Sequence, residues 1–149
     1  MSKGTICFDM DGTIFDLYGV ENWLDYLINS NPLPYEVAKP MINFSRLARL
    51  IHRVQALGYK VEIISWLSKN STFEYDIAVT KAKINALINH LPSVKWNEIY
   101  IVPYGTPKSE VTKAEYAILF DDEAKNRNEW TKGQAYTPDM IFEVLKGLE

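Results

Sequence analysis

Apolar positions along this chain fall into two alternating kinds of run. Short, dense runs occupy 5–8, 60–66, 98–102, 116–120 and 134–136. Runs of this length, bounded by glycine, proline or acidic residues, read as buried strands. The longer segments between them repeat at three and four. In 20–28 the apolar residues are Trp23, Leu24, Leu27 and Ile28, and Asn31, Pro32 and Pro34 stop the pattern. In 41–57 an inward face of Phe44, Leu47, Ala48, Leu50, Ile51 and Val54 ends at Gly58, a C-cap position. In 72–91 the stripe is Ile77, Ala78, Ala82, Ile84, Leu87, Ile88 and Leu91, closed by Pro92. Two last helices are expected at 123–130 and 138–148, the second with Pro138 near its first turn. Residues 103–108 form a loop holding Gly105 and Pro107. Strands alternating with helices predict an α/β fold. It is a single three-layer, Rossmann-like domain with a mostly parallel sheet of about five strands, helices on both faces and right-handed crossovers.

Composition narrows the class. A chain of 149 residues suits one domain, and no repeat, linker or low-complexity tract divides it. Hydrophobic residues at 47% and charged residues at 23% exclude disorder, collagen and coiled coil. Sixteen basic against 19 acidic side chains leave a net charge of −3, so no bulk positive field holds a long nucleic acid. The single cysteine, Cys7, cannot close an internal disulfide, which fits a reducing, cytoplasmic setting. Asp9 interrupts any signal-peptide core, and no apolar run approaches the ~18 residues of a membrane span.

In parallel α/β sheets, ligands bind beyond the carboxyl ends of the strands. Four successive predicted strands each deliver a polar group there: Asp9 and Asp11, Ser65, Lys108, and Asp121 with Asp122. Clustered carboxylates with open positions suit a hard cation such as Mg²⁺. A lysine and a hydroxyl beside them suit a phosphate group. The amides of the Asp-Gly-Thr turn ending at Thr13 are placed to add anion contacts. An aspartate can serve as covalent nucleophile, and a second carboxyl can protonate the leaving alkoxide and then deprotonate water. Together these parts suffice for phosphoryl transfer to water.

The run Phe8-Asp9-Met10-Asp11-Gly12-Thr13 resembles the first motif of the haloacid dehalogenase superfamily of phosphohydrolases. Ser65, after Val61-Glu62-Ile63-Ile64, resembles its second motif, Lys108 its third, and Leu119-Phe120-Asp121-Asp122 its fourth in the paired-aspartate form. The resemblance implies Asp9 as nucleophile and Mg²⁺ ligand, and Asp11 as general acid/base with its main-chain carbonyl on the metal. It implies Ser65, Lys108 and Thr13 on the phosphate, and Asp121 or Asp122 completing the metal site. The gaps between motifs hold no obvious cap domain, only a small helical cover over 20–40. The substrate expected is a small phosphorylated molecule or a phosphorylated polymer end, with a second subunit as a possible cover. More weakly, the layout is similar to bacteriophage-type and bacterial 5′(3′)-deoxyribonucleotidases, and Trp23, Trp66 and Tyr104 lie near strand-end loops where a base would stack.

Other readings stand beside these. Trp66 and Tyr104 also read as rim or core aromatics. Asn126 with Arg127 reads as support behind the fourth motif or as a solvated helix face, and Arg46, Arg49 and Arg53 as an exposed helix face. His52 and His90 have no ligand-like partners, and Gly105-Thr106-Pro107-Lys108-Ser109 lacks the spacing of a nucleotide phosphate loop. A receiver domain also joins acids, a hydroxyl and a lysine on a parallel sheet, but in another order. A protein that keeps the fold for binding without turnover is the remaining alternative.

Overall fold

The computed structural model describes residues 2–149. Thirteen main elements follow in chain order. They are β1 (Gly4–Phe8), β2 (Phe15–Asp16), α1 (Trp23–Ile28), α2 (Leu33–Val37), β3 (Lys39–Pro40), α3 (Phe44–Ala56) and β4 (Tyr59–Trp66). Then come α4 (Phe73–His90), β5 (Glu98–Val102), β6 (Ala117–Phe120), α5 (Ala124–Glu129), β7 (Ala135–Tyr136) and α6 (Ile141–Gly147), with single 3-10 turns at Lys108–Glu110 and Pro138–Met140.

The five-stranded sheet runs β5-β4-β1-β6-β7, and every pairing in it is parallel. The chain builds outward from β1 to β4 and β5, then crosses back to β6 on the other side of β1. That reversal opens a crevice at the carboxyl end of β1. Phe8 of β1 is in register with Phe120 of β6 and Ile63 of β4. Asp9 and Asp121 therefore leave neighbouring strands side by side, about 4.8 Å apart in such a ladder.

Alternation of β1 side chains divides the core. Ile6 and Phe8 face a large cluster with Val61, Ile63, Ile118 and Phe120, closed by Leu47, Ile51 and Val54 of α3 and Ile141 and Leu145 of α6. Cys7 faces the opposite side with Ile64, Leu119 and Trp130. The Phe8 and Phe120 rings stack at 5.3 Å just beneath the two aspartates, so the floor of the crevice is rigid aromatic packing.

Several boundaries differ from the sequence reading, each for a physical reason. Pro34 does not end a helix but sits in the first turn of α2, where its missing N–H has no intrahelical partner to lose. The helix expected from 41 begins at Phe44, because the Asn43 side chain accepts from the Arg46 amide and caps it there. Residues 15–16 and 39–40 form a short antiparallel ribbon that brackets α1 and α2; two-residue strands carry no periodic signal. The last helix is split, a 3-10 turn preceding α6.

The inward face of α4 keeps Ala82 and Leu87 of the expected stripe but differs in the rest. Tyr75, Val79, Ala82, Lys83 and Leu87 are buried, whereas Ile77 is 54% and Ile88 58% exposed. Among the described residues, no helix is long and apolar enough to cross a membrane.

Candidate active site

Of the polar groups expected at the strand ends, Asp9, Asp11, Lys108 and Asp122 line one cavity, while Ser65 and Asp121 are fully buried and joined to them through lysine side chains. Asp9, directly after β1, is buried and held at both carboxylate oxygens: Lys108 Nζ donates to Oδ1 at 2.9 Å and Thr13 Oγ1 to Oδ2 at 2.9 Å. Lys108 enters on the single turn after the β5 loop and also donates to Asp121 Oδ2 at 2.7 Å. Burial alone would weaken this ammonium, but Asp9 and Asp121 outweigh it and raise the Lys108 pKa.

Asp121 and Asp122, left unassigned between direct and indirect metal contact by the sequence, have different surroundings. Asp121 is fully buried, with both oxygens engaged: Oδ1 accepts from the Glu123 amide, and Oδ2 from Lys108 and from Asn126 Nδ2 at 3.1 Å. Arg127 donates to the Asp121 carbonyl at 2.9 Å. Asn126 and Arg127, read from sequence as support or as a solvated face, thus fasten the paired aspartates to α5. Asp122 lines the open cavity instead. One oxygen each of Asp9, Asp121 and Asp122 lie within 4.8 Å of one another. Burial first, and then the Asp9 charge, push Asp121 up to about 6 and Asp122 up to about 8. The close approach of Asp122 explains Gly12. Its φ of 78° is left-handed, and a Cβ there would collide with the Asp122 carboxylate.

Thr13 occupies a different place from the one expected. Its hydroxyl is fully buried between Asp9 and Asp122 and also accepts from the Asp122 amide at 3.2 Å. The Gly12 and Thr13 amides donate within their own turn, to Phe15 and Met10 carbonyls. Those groups are consumed in shaping the loop, so the side chain of Thr13 aligns carboxylates instead of facing an anion.

The residue missed in the sequence is Lys83. It projects from the buried stripe of α4, and its ammonium meets Asp11 Oδ2 at 2.9 Å, Ser65 Oγ at 2.7 Å and the Trp66 carbonyl at 2.7 Å. The available signal was a lysine four residues from both Val79 and Leu87, on the face that also holds Tyr75. Burial raises the Asp11 pKa, with Lys83 opposing and Asp9 adding to the rise.

Above these groups lies a cavity of about 470 Å³, within the range of small-molecule sites. The cover expected over 20–40 forms one wall: Leu17 and Tyr18 before α1, Trp23, Leu24 and Leu27 on α1, and Tyr35 on α2. The Tyr18 and Trp23 rings pack edge to face at 4.9 Å. Trp66 and Tyr104 also line the cavity, ring centroids 5.0 Å apart, with Trp66 Nε1 anchored on the Thr106 carbonyl at 2.8 Å.

No protein-family model and no curated protein sequence matches the chain. Solved structures do. It is similar to a D,D-heptose 1,7-bisphosphate phosphatase from Burkholderia thailandensis, at TM-score 0.59 and 14% identity over 97% of both chains. It is also similar to the HAD domain of the effector protein Lem4 from Legionella pneumophila, at TM-score 0.52 and 16% identity over 97% of this chain and 93% of that one. At 14% and 16% identity these likenesses show a shared α/β fold.

Proposed function

We propose that the protein is a Mg²⁺-dependent phosphomonoester hydrolase that forms an aspartyl-phosphate on Asp9, acting on small esters with a planar ring, above all nucleoside monophosphates. One observation carries the reading. Asp9 is buried and clamped at both oxygens by Lys108 and Thr13, while Asp11, on the same loop, borders the same cavity.

The residues fit a divalent cation. Four carboxylates at the sheet edge, Asp9, Asp11, Asp121 and Asp122, face two ammonium groups, which leaves the cluster with more negative than positive charge. Asp9, Asp122 and the main-chain carbonyl of Asp11 would hold the ion, with Asp121 steadying Lys108. Bound there, Mg²⁺ would supply neutralising charge for the phosphoryl oxygens.

The chain's own groups account for the proton and bond changes. The Asp9 carboxylate attacks phosphorus, an O–P bond forms, and the bond from phosphorus to the ester oxygen breaks. Asp11, whose pKa burial raises, delivers its proton to that departing oxygen. The resulting Asp11 carboxylate then takes a proton from water as the water oxygen attacks phosphorus. This releases inorganic phosphate and restores the Asp9 carboxylate. Lys108 offsets negative charge through both steps.

The aromatic walls favour a planar leaving group. A ring in contact with both Tyr18–Trp23 and Trp66–Tyr104 gains about 1 kcal/mol for each stacked face, which a sugar phosphate does not. The test is hydrolysis of para-nitrophenyl phosphate, followed by a panel of nucleoside monophosphates, sugar phosphates and phosphorylated oligonucleotide ends. Turnover should require Mg²⁺ and fall by about four orders of magnitude in Asp9→Asn. Nucleoside monophosphates should exceed sugar phosphates about thirtyfold in kcat/KM. Activity surviving in Asp9→Asn would eliminate the nucleophile. Equal use of sugar phosphates, or preference for oligonucleotide ends, would eliminate the enclosed-ring substrate.

A further inference from the structure

Lys83 is a buried charge at the crevice that the chemistry above leaves without a task. Its side chain is 1% exposed, and the Tyr35 ring from α2 closes over the ammonium at 5.1 Å. A lysine ammonium has three N–H donors. Here Ser65 Oγ, the Trp66 carbonyl and Asp11 Oδ2 take all three. None is left for a phosphoryl oxygen. Lys108 contrasts with it, since Asp9 and Asp121 occupy two of its donors and the residue lines the cavity.

Ser65 is the other half of the device. A hydroxyl has one proton to give and lone pairs to receive. Ser65 Oγ is fully buried and receives from Lys83, so its own proton must turn away from the ammonium. Among the described residues that proton has no acceptor. A buried donor with nothing to donate to is costly unless a ligand takes it. Without Lys83 that orientation of the hydroxyl is no longer imposed.

We infer that Lys83 is a positioning residue: it fixes Ser65 as a one-way donor to a phosphoryl oxygen and holds Asp11 against the end of β4, without touching the phosphate itself. This rests on the phosphatase reading above. It assigns different work to the two buried lysines, Lys108 facing the reacting group and Lys83 acting through Ser65.

A double-mutant cycle tests it, with affinity for inorganic phosphate measured by calorimetry in the presence of Mg²⁺. Ser65→Ala should weaken binding about tenfold, the worth of one hydrogen bond to a charged group. Lys83→Gln should weaken it by a similar factor. The double variant should remain near tenfold, because the second change removes nothing the first has not already removed. A loss of about a hundredfold in the double variant would show two independent phosphate contacts and overturn the inference.

A second measurement needs no substitution at position 83. In ¹⁵N-lysine-labelled protein, the Lys83 ammonium signal should be protected from exchange and unmoved by saturating inorganic phosphate, while the Lys108 signal shifts; Lys108→Arg identifies the latter. A Lys83 signal that moves with phosphate would also overturn the inference. Wild-type protein that neither binds phosphate nor turns over aryl phosphate overturns both readings. Intact binding with an additive cycle overturns only the role given to Lys83.

Discussion

Asp122→Asn should make the metal-free protein more stable while disabling it. Asp122 is crowded by Asp9 and Asp121, and in the folded state its carboxyl is pushed from 3.8 up to about 8, first by burial and then by Asp9. The folded protein therefore holds that proton more tightly than the unfolded chain does. Stability from this group is complete below about pH 4 and is lost as the pH rises through about 8. Because Asp122 borders an open cavity, solvent screening reduces the repulsion relieved by asparagine to about 1–2 kcal/mol. In a chain of this size, 1 kcal/mol moves Tm by about 2–4 °C. The main-chain amide of residue 122 still donates to Thr13 Oγ1, so the turn itself is kept. Thermal unfolding in EDTA at about pH 8 should show Asp122→Asn melting about 2–8 °C above wild type. The gap should close as the pH falls toward 4, where the wild-type carboxyl is already protonated. Mg²⁺ should then raise the wild-type Tm and leave the variant unmoved, with aryl phosphate turnover down about a hundredfold or more. An Asp122→Asn protein no more stable than wild type in EDTA, or equally favoured at both ends of that pH range, would refute the view of a carboxylate cluster awaiting a cation.

Lys108→Met leaves two buried carboxylates without their cation and should cost about 3–5 kcal/mol in urea unfolding under EDTA, part of it recovered with Mg²⁺. Asp11→Asn should lower kcat by about 10²–10⁴, yet preserve the Mg²⁺-induced rise in Tm, since the side chain is assigned to the proton and not to the ion. Tyr104→Ala, at an exposed position on one aromatic wall, should raise KM for a nucleoside monophosphate about five- to tenfold with little change in kcat; methyl phosphate kinetics should not change.

The strand-end groups were legible because each follows an apolar run that can only be a buried strand. The order of such runs dictates a parallel sheet, and the Phe8–Phe120 register then sets Asp9 beside Asp121. Chemistry that depends on helix rotation was hidden. The apolar stripe read for α4 includes the buried Ala82 and Leu87, but its Ile77 and Ile88 lie exposed, and the buried face also takes in Tyr75, Val79 and Lys83. That face is partly polar because it abuts a polar site, which is the circumstance that defeats an apolar template. The same reason left Asn126 undecided, since its burial is supported by a hydrogen bond to Asp121 and not by apolar contact. The β2–β3 ribbon and the separation of α1 from α2 rest on tertiary pairing too short to leave a periodic trace.

Helix α1 has no buried residue, and its Leu24 and Ile28 are largely exposed. The aspartates assigned to the phosphorus chemistry, by contrast, follow β1 and β6, strands that are buried in the core. Catalysis and choice of substrate therefore draw on separate reserves of folding free energy. Residues 23–28 can be exchanged to admit a different ring with little cost to the core, while the crevice floor tolerates almost no change. A lineage carrying this architecture has an inexpensive route to new substrates and a closed one to new chemistry.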